Sequence, residues 1–170
     1  GVNVIPFFNS LGHNTLLPRL RPEISARTAD GQPSGTGYCT NAPETRLFLE
    51  KLYGGLVQKY YPEGLEYFHI QLDEVWDTFP HPDDALKKES PWCCCPRCQS
   101  QAHGQLFLDH LLWLVEMLCR HGVHKVVFWN DQLTRHDQLL NEQFVQRLQD
   151  ANLLDRVVMH WWWYDNHKMD

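Results

Sequence analysis

Four short, almost continuously apolar runs punctuate the chain, at residues 2–8, 66–72, 125–129 and 156–162. Each has strand length, and none alternates cleanly between apolar and polar positions, which is the pattern of a strand covered on both faces. Between them the periodicity changes to that of helices. Asn41 followed by Glu44 resembles a capping pair, with Pro43 in the first turn, and Leu47, Leu49, Leu52, Leu56 and Val57 continue at helical spacing until Pro62-Glu63-Gly64 stops the run. A second helix is predicted over about 105–120, with Leu106, Leu111, Leu114, Val115 and Met117 apolar and Gly122 as terminator, and a third over about 138–149. Residues 14–40, rich in Gly, Pro and Ser, read as a long loop.

Strands alternating with helices predict a parallel sheet with crossover helices. Four strands and three helices make half of an eight-stranded (β/α) barrel, covering one domain over residues 1–170. The alternative is an open doubly wound sheet, but no glycine-rich phosphate loop follows any of the strands. Polar residues instead collect just after the strand ends, at 9–14, 73–76, 130–131 and 163–166. In a (β/α) barrel that is the catalytic face. The sequence begins inside its first apolar run without a lead-in, and so reads as part of something longer. Half a barrel leaves two strand edges open, where two copies could associate.

Bulk properties narrow the partners. With 170 residues and 43% hydrophobic residues the chain can bury one core. A formal charge of -6, with Lys and Arg scattered, argues against a nucleic-acid backbone and for a neutral ligand. No run reaches the roughly 20 apolar residues of a membrane span, and the first residues lack the charged flank of a signal peptide, so the expectation is a soluble chain with the cytoplasm favoured.

The sharpest chemical signal is His69-Ile70-Gln71-Leu72-Asp73-Glu74-Val75-Trp76. Adjacent acids at the end of a strand point in different directions, so they reach one ligand from different surroundings and can hold different protonation states. Taken in isolation the pair would be a helix cap and a solvated loop acid; the buried run before it and Trp76 after it favour chemistry.

This segment resembles the His-x-Gly-Gly-Asp-Glu signature of the family 20 glycoside hydrolases, the β-N-acetylhexosaminidases, and is closest to the more divergent hexosaminidase D type. Val4-Ile5-Pro6 and Leu11-Gly12-His13 resemble the Ile-Pro-Glu and Pro-Gly-His of that family. Trp129 and the pair Trp161-Trp162 resemble tryptophans at the ends of the next strands. The resemblance implies that the chain spans strands three to six of the barrel. It implies Glu74 as general acid/base, Asp73 as the group that orients a substrate 2-acetamido group acting as nucleophile, and His13 as the contact of the glutamate. It also implies that strands outside this chain supply further residues, among them a tyrosine assisting the acetamido group. Gln71-Leu72 departs from the Gly-Gly pair, and a phenylalanine replaces the acid of Ile-Pro-Glu.

Trp129 and Trp162 are the candidates for stacking on a sugar, with Asn130, Asp131 and Tyr164 as hydrogen-bonding partners of its hydroxyls; Asp131 opposite Glu74 is also the candidate enzyme nucleophile of a different glycosidase. The plain reading of the tryptophans is core packing. The reaction needs no cofactor. Cys95-x-x-Cys98 has the spacing of a zinc-ligand pair, to which Cys93 or Cys39 could add further thiolates of a structural site, but a second matching pair is absent and reduced cysteines packing a long loop are the first reading. A zinc-stabilised interaction module, or a sugar-binding barrel without turnover, is the competing function. His81-Pro82-Asp83-Asp84 reads as a solvated loop.

Overall fold

The computed structural model describes residue 2 and residues 4–75, 90–136 and 138–162. Its centre is a parallel sheet of β3 (Leu65–His69), β4 (Val123–Trp129) and β5 (Val157–His160), in that order. The ladders pair Phe68 with Val126 and Val126 with Val157. Helix α4 (His103–Arg120) follows β3, and α5 (Glu142–Asp150) follows β4, so sheet and helices form part of a (β/α) barrel, as the alternation predicts.

The two faces of the sheet differ. Phe68, Val126 and Phe128 are fully buried and belong to the same core as Leu106, Leu111, Leu114, Val115 and Leu118 of α4. The opposite face, the barrel interior, carries Tyr67, His69, Val127, Trp129 and His160; Tyr67 is 39% exposed. This explains why the strands read as apolar throughout: one face meets the helices, and the other looks into the barrel.

The first expected strand is only partly formed. Phe7 bridges to His69 in parallel, with the Phe8 N–H donating to the His69 carbonyl at 3.0 Å and the His69 N–H donating to that of Pro6 at 2.9 Å. Val2 and Val4, expected to be buried, are exposed, because no element among the described residues covers that end. The third helix starts at Glu142 and not at 138; Asn141 is its cap, its side chain accepting from the Phe144 N–H at 3.0 Å. The helix starting at Pro43 is capped by Ala42 without a side-chain bond, whereas Asn41, the expected cap, donates to the Arg97 carbonyl. That helix runs as α2 (Pro43–Leu49), a π turn (Glu50–Gly54) and α3 (Gly55–Tyr60). Leu49 and Val57 face the core, but Leu47 is exposed.

The predicted loop at 14–40 contains structure. A short helix α1 (Leu16–Leu20) precedes an antiparallel hairpin, β1 (Ser25–Arg27) and β2 (Pro33–Tyr38). Its second strand, Pro-Ser-Gly-Thr-Gly-Tyr, has poor strand propensity. Tertiary contact decides it: a Cβ on Gly37 would lie 2.3 Å from the Pro91 carbonyl oxygen, so the hairpin and the segment entering α4 pack backbone to backbone.

Candidate active site

Asp73 and Glu74 leave the end of the β3 segment through a strained backbone. Gln71, Leu72 and Glu74 have φ of +58°, +66° and +48°, and His13, facing them, has +53°. Side chains avoid this left-handed region, and each such residue costs on the order of 1 kcal/mol or more, so a cluster of them marks a place where geometry outranks local preference. Gln71 and Leu72 stand where the resembling signature has glycines, and they hold the conformation that glycine adopts freely.

Loop 9–14 brings His13 to the acids. The Asn9 side chain donates to the His13 carbonyl at 3.2 Å, and Asn14 donates to the Asn9 carbonyl at 2.9 Å. Gly12 lies against the acid segment so closely that an added Cβ would sit 2.1 Å from the Asp73 carbonyl oxygen. The His13 Nε2 is then 2.9 Å from Glu74 Oε2 and 3.5 Å from Asp73 Oδ2. One imidazole thus serves both carboxylates.

Burial pushes the Asp73 carboxyl above its ordinary range; the nearby His13 opposes this, and the charges of Asp131 and Glu74 reinforce it. Its Oδ1 is buried without a hydrogen-bond partner among the described residues.

The end of β4 fixes the acids from the other side. Asp131 accepts the Glu74 backbone N–H on Oδ2 at 2.7 Å and the Trp162 indole N–H on Oδ1 at 3.3 Å. Asn130 accepts the Trp162 backbone N–H at 2.9 Å and donates to the Thr134 hydroxyl at 3.2 Å. Both residues are 0% exposed. Both are candidates from the sequence for hydroxyl contacts to a sugar, and Asp131 for a nucleophile; their side-chain polar atoms are bonded to the protein, and they position Glu74 and Trp162. Trp162 follows β5, while Trp161 beside it is more than half exposed. Tyr164, like Trp76, Trp163 and the 81–84 loop, lies outside the described residues.

Trp129 is on the barrel interior, its ring 4.8 Å from His69, 5.6 Å from His160 and 6.4 Å from Phe7. His69 accepts the Gln71 N–H on Nδ1 at 3.0 Å, which leaves the proton of the neutral ring on Nε2. Burial, and then His160, lower its pKa to about 4.

The architecture places this geometry among solved structures. The chain is similar to the crystal structure of a β-N-acetylhexosaminidase from Bacteroides fragilis NCTC 9343, with a TM-score of 0.63 and 20% identity over 99% of this chain. The fold is hexosaminidase-like. The chain spans 29% of that protein's length. No family model and no curated protein sequence matches the chain.

A buried network behind loop 9–14 escaped the sequence reading. Within α4 the His110 Nε2–H donates to the Ser10 carbonyl at 2.9 Å, and the Ser10 hydroxyl lies 3.1 Å from that of Tyr53. His110 is four residues from both Leu106 and Leu114, so the apolar stripe of the helix already carried the signal. Away from the acids, the thiols of Cys39, Cys93, Cys95 and Cys98 form, among the described residues, a group that could hold a metal ion. Their sulfur atoms all lie within 4.8 Å of one another.

Proposed function

We propose that this chain carries the catalytic centre of a retaining glycoside hydrolase that removes terminal β-linked N-acetylhexosamine from glycans. The observation that carries the reading is the placement of Asp73 and Glu74 around His13 at the end of the β3 segment. The hexosaminidase-like fold supports it. Because the chain spans 29% of that neighbour, the activity belongs to a protein carrying the whole barrel.

In this reading Glu74, as the acid, protonates the glycosidic oxygen while the 2-acetamido oxygen attacks the anomeric carbon and the bond to the leaving group breaks. Positive charge develops on the acetamido nitrogen as the ring closes. The Asp73 carboxylate accepts its N–H, so this hydrogen bond strengthens towards the transition state and contributes to rate rather than to binding alone. Water then attacks the same carbon, Glu74 takes its proton, and the acetamido group is restored; two inversions give retention. His13 fixes the Glu74 carboxyl, and Trp129 and Trp162 offer apolar faces to the sugar.

The test is hydrolysis of aryl N-acetylglucosaminide and N-acetylgalactosaminide by the full protein that carries these residues. Glu74→Gln lowers kcat by about 10²–10⁴-fold with the fold intact. A thiazoline analogue of the cyclised acetamido group inhibits the enzyme, and glycosides lacking the acetamido group are poor substrates. Undiminished turnover by Glu74→Gln, or indifference to the acetamido group, refutes the assignment.

A further inference from the structure

Four thiols outside the acidic site converge on one point. Cys39 follows β2 directly, while Cys93, Cys95 and Cys98 lie on the segment leading to α4, and all four sulfur atoms are within 4.8 Å of one another. Cys39 Sγ is 3.6 Å from that of Cys95 and 3.9 Å from that of Cys98. A tetrahedron with metal–sulfur bonds of about 2.3 Å has sulfur–sulfur edges of about 3.8 Å. The two separations from Cys39 match such edges and are far from the roughly 2.05 Å of a disulfide.

The backbone around the cluster is arranged to present these sulfurs and not their neighbour. The Arg27 N–H donates to Cys93 Sγ at 3.2 Å, and the Cys94 N–H donates back to the Arg27 carbonyl at 2.7 Å. Cys93 and Cys95 therefore turn inward while Cys94 is exposed. The N–H groups of Cys98 and Gln99 both donate to the Cys95 carbonyl at 2.9 Å, a turn that returns Cys98 to the side of Cys95. Backbone N–H donors to thiolate sulfur are the outer contacts that orient ligands around a metal. Simple apolar packing of reduced thiols requires neither the convergence of all four nor a donor aimed at one of them.

We propose that Cys39, Cys93, Cys95 and Cys98 bind one structural zinc ion as four thiolates, stapling the β1–β2 hairpin to the segment that enters α4. The ion displaces the four thiol protons and closes a loop of the chain between Cys39 and Cys93. A closed four-sulfur shell leaves no position for substrate, so the role is architectural. It holds together two pieces of backbone that already touch at Gly37 and Pro91.

The proposal is independent of the hydrolase reading, and its test uses no glycoside. The protein purified under reducing conditions without chelator contains about one zinc per chain, the stoichiometry of a single tetrahedral site. Replacing zinc by cobalt(II) gives the thiolate charge-transfer and strong d–d bands of tetrahedral sulfur coordination, and removing the metal lowers Tm. Cys39→Ser and Cys98→Ser lose the metal, whereas Cys94→Ser keeps it. Should the ligand variants fail to fold, the metal content and cobalt spectrum of the unsubstituted protein decide. Metal-free protein with four alkylatable thiols, a disulfide among the four, or loss of zinc in Cys94→Ser overturns the assignment.

Discussion

Acidification should destabilise this fold through His110, and the size of the effect follows from its surroundings. Its Nε2–H is committed to the Ser10 carbonyl at 2.9 Å. Its Nδ1 is buried without a partner among the described residues, so a second proton would arrive as an unsatisfied donor. Burial, opposed by the Ser10 bond and reinforced by Arg46, lowers the pKa from 6.5 to about 4. The unfolded chain therefore binds the proton first as pH falls. Stability is intact above about 6.5 and is lost progressively towards 4, the sign required when the unfolded state binds more protons. Between pH 7.5 and 4.5 this single group removes about 2–3 kcal/mol. In a chain of this size that lowers Tm by about 5–10 °C. His110→Gln keeps a donor for Ser10 but does not titrate, so its loss between the two pH values should be smaller than that of the unsubstituted chain by the same amount. Urea melts at both pH values measure the difference. Parallel losses in the two proteins, or an imidazole that titrates near 6.5 by NMR, would refute the reasoning.

Gly12→Ala places a Cβ 2.1 Å from the Asp73 carbonyl oxygen, which forces the backbone of the acid segment to move. A displacement of about 1 Å costs on the order of 10²-fold in kcat/KM, measured on the full protein with an aryl N-acetylhexosaminide; unchanged kinetics would remove Gly12 from the positioning machinery. Asp73→Asn removes a buried carboxylate whose pKa is raised, so it should melt higher than the unsubstituted chain at neutral pH, with the gain disappearing below the ordinary carboxylate range; calorimetry across pH shows whether the two curves converge in acid. Gln71→Gly relieves the φ of +58° but loosens the unfolded chain, and these terms of about 1 kcal/mol each nearly cancel. Leu72→Gly, by contrast, empties a buried core site and should cost about 2–5 kcal/mol; equal stability of the two glycine variants would contradict this account.

The strands and the long helix were legible because their pattern is produced by burial on a scale the sequence records directly. β3, β4 and α4 meet the core along whole faces, and their apolar runs say so. The hairpin was not legible, because Gly37 is selected by a close contact with Pro91, more than fifty residues away. The cap at Ala42 was missed for a related reason: Asn41 has the right chemistry for a cap but spends it on Arg97. Asp73, Glu74, His13, Asn130, Asp131 and Trp162 were named from strand ends and from resemblance, and the structure does bring them together. What the sequence could not convey is how the polar atoms are divided. Asn130 and Asp131 look like ligand contacts, yet burial and four protein hydrogen bonds make them supports.

That division bears on how any measurement on the site is read. His13 holds the Glu74 side chain, and Asp131 holds the Glu74 backbone N–H and the Trp162 indole. Removing either support leaves Glu74 present but no longer fixed. Residues sharing one partner do not contribute additively. After Asp131→Asn has weakened the backbone anchor, His13→Ala has less geometry left to destroy, and the double variant should be less impaired than the product of the single effects. Asp73 acts on a different atom of the substrate in the proposed mechanism but feels the Asp131 charge, so Asp73→Asn combined with Asp131→Asn should depart from the product by the electrostatic coupling of the two carboxylates alone. The comparison distinguishes a site in which the acids act in separate roles, supported from two strand ends, from one in which all four groups merely keep the loops folded.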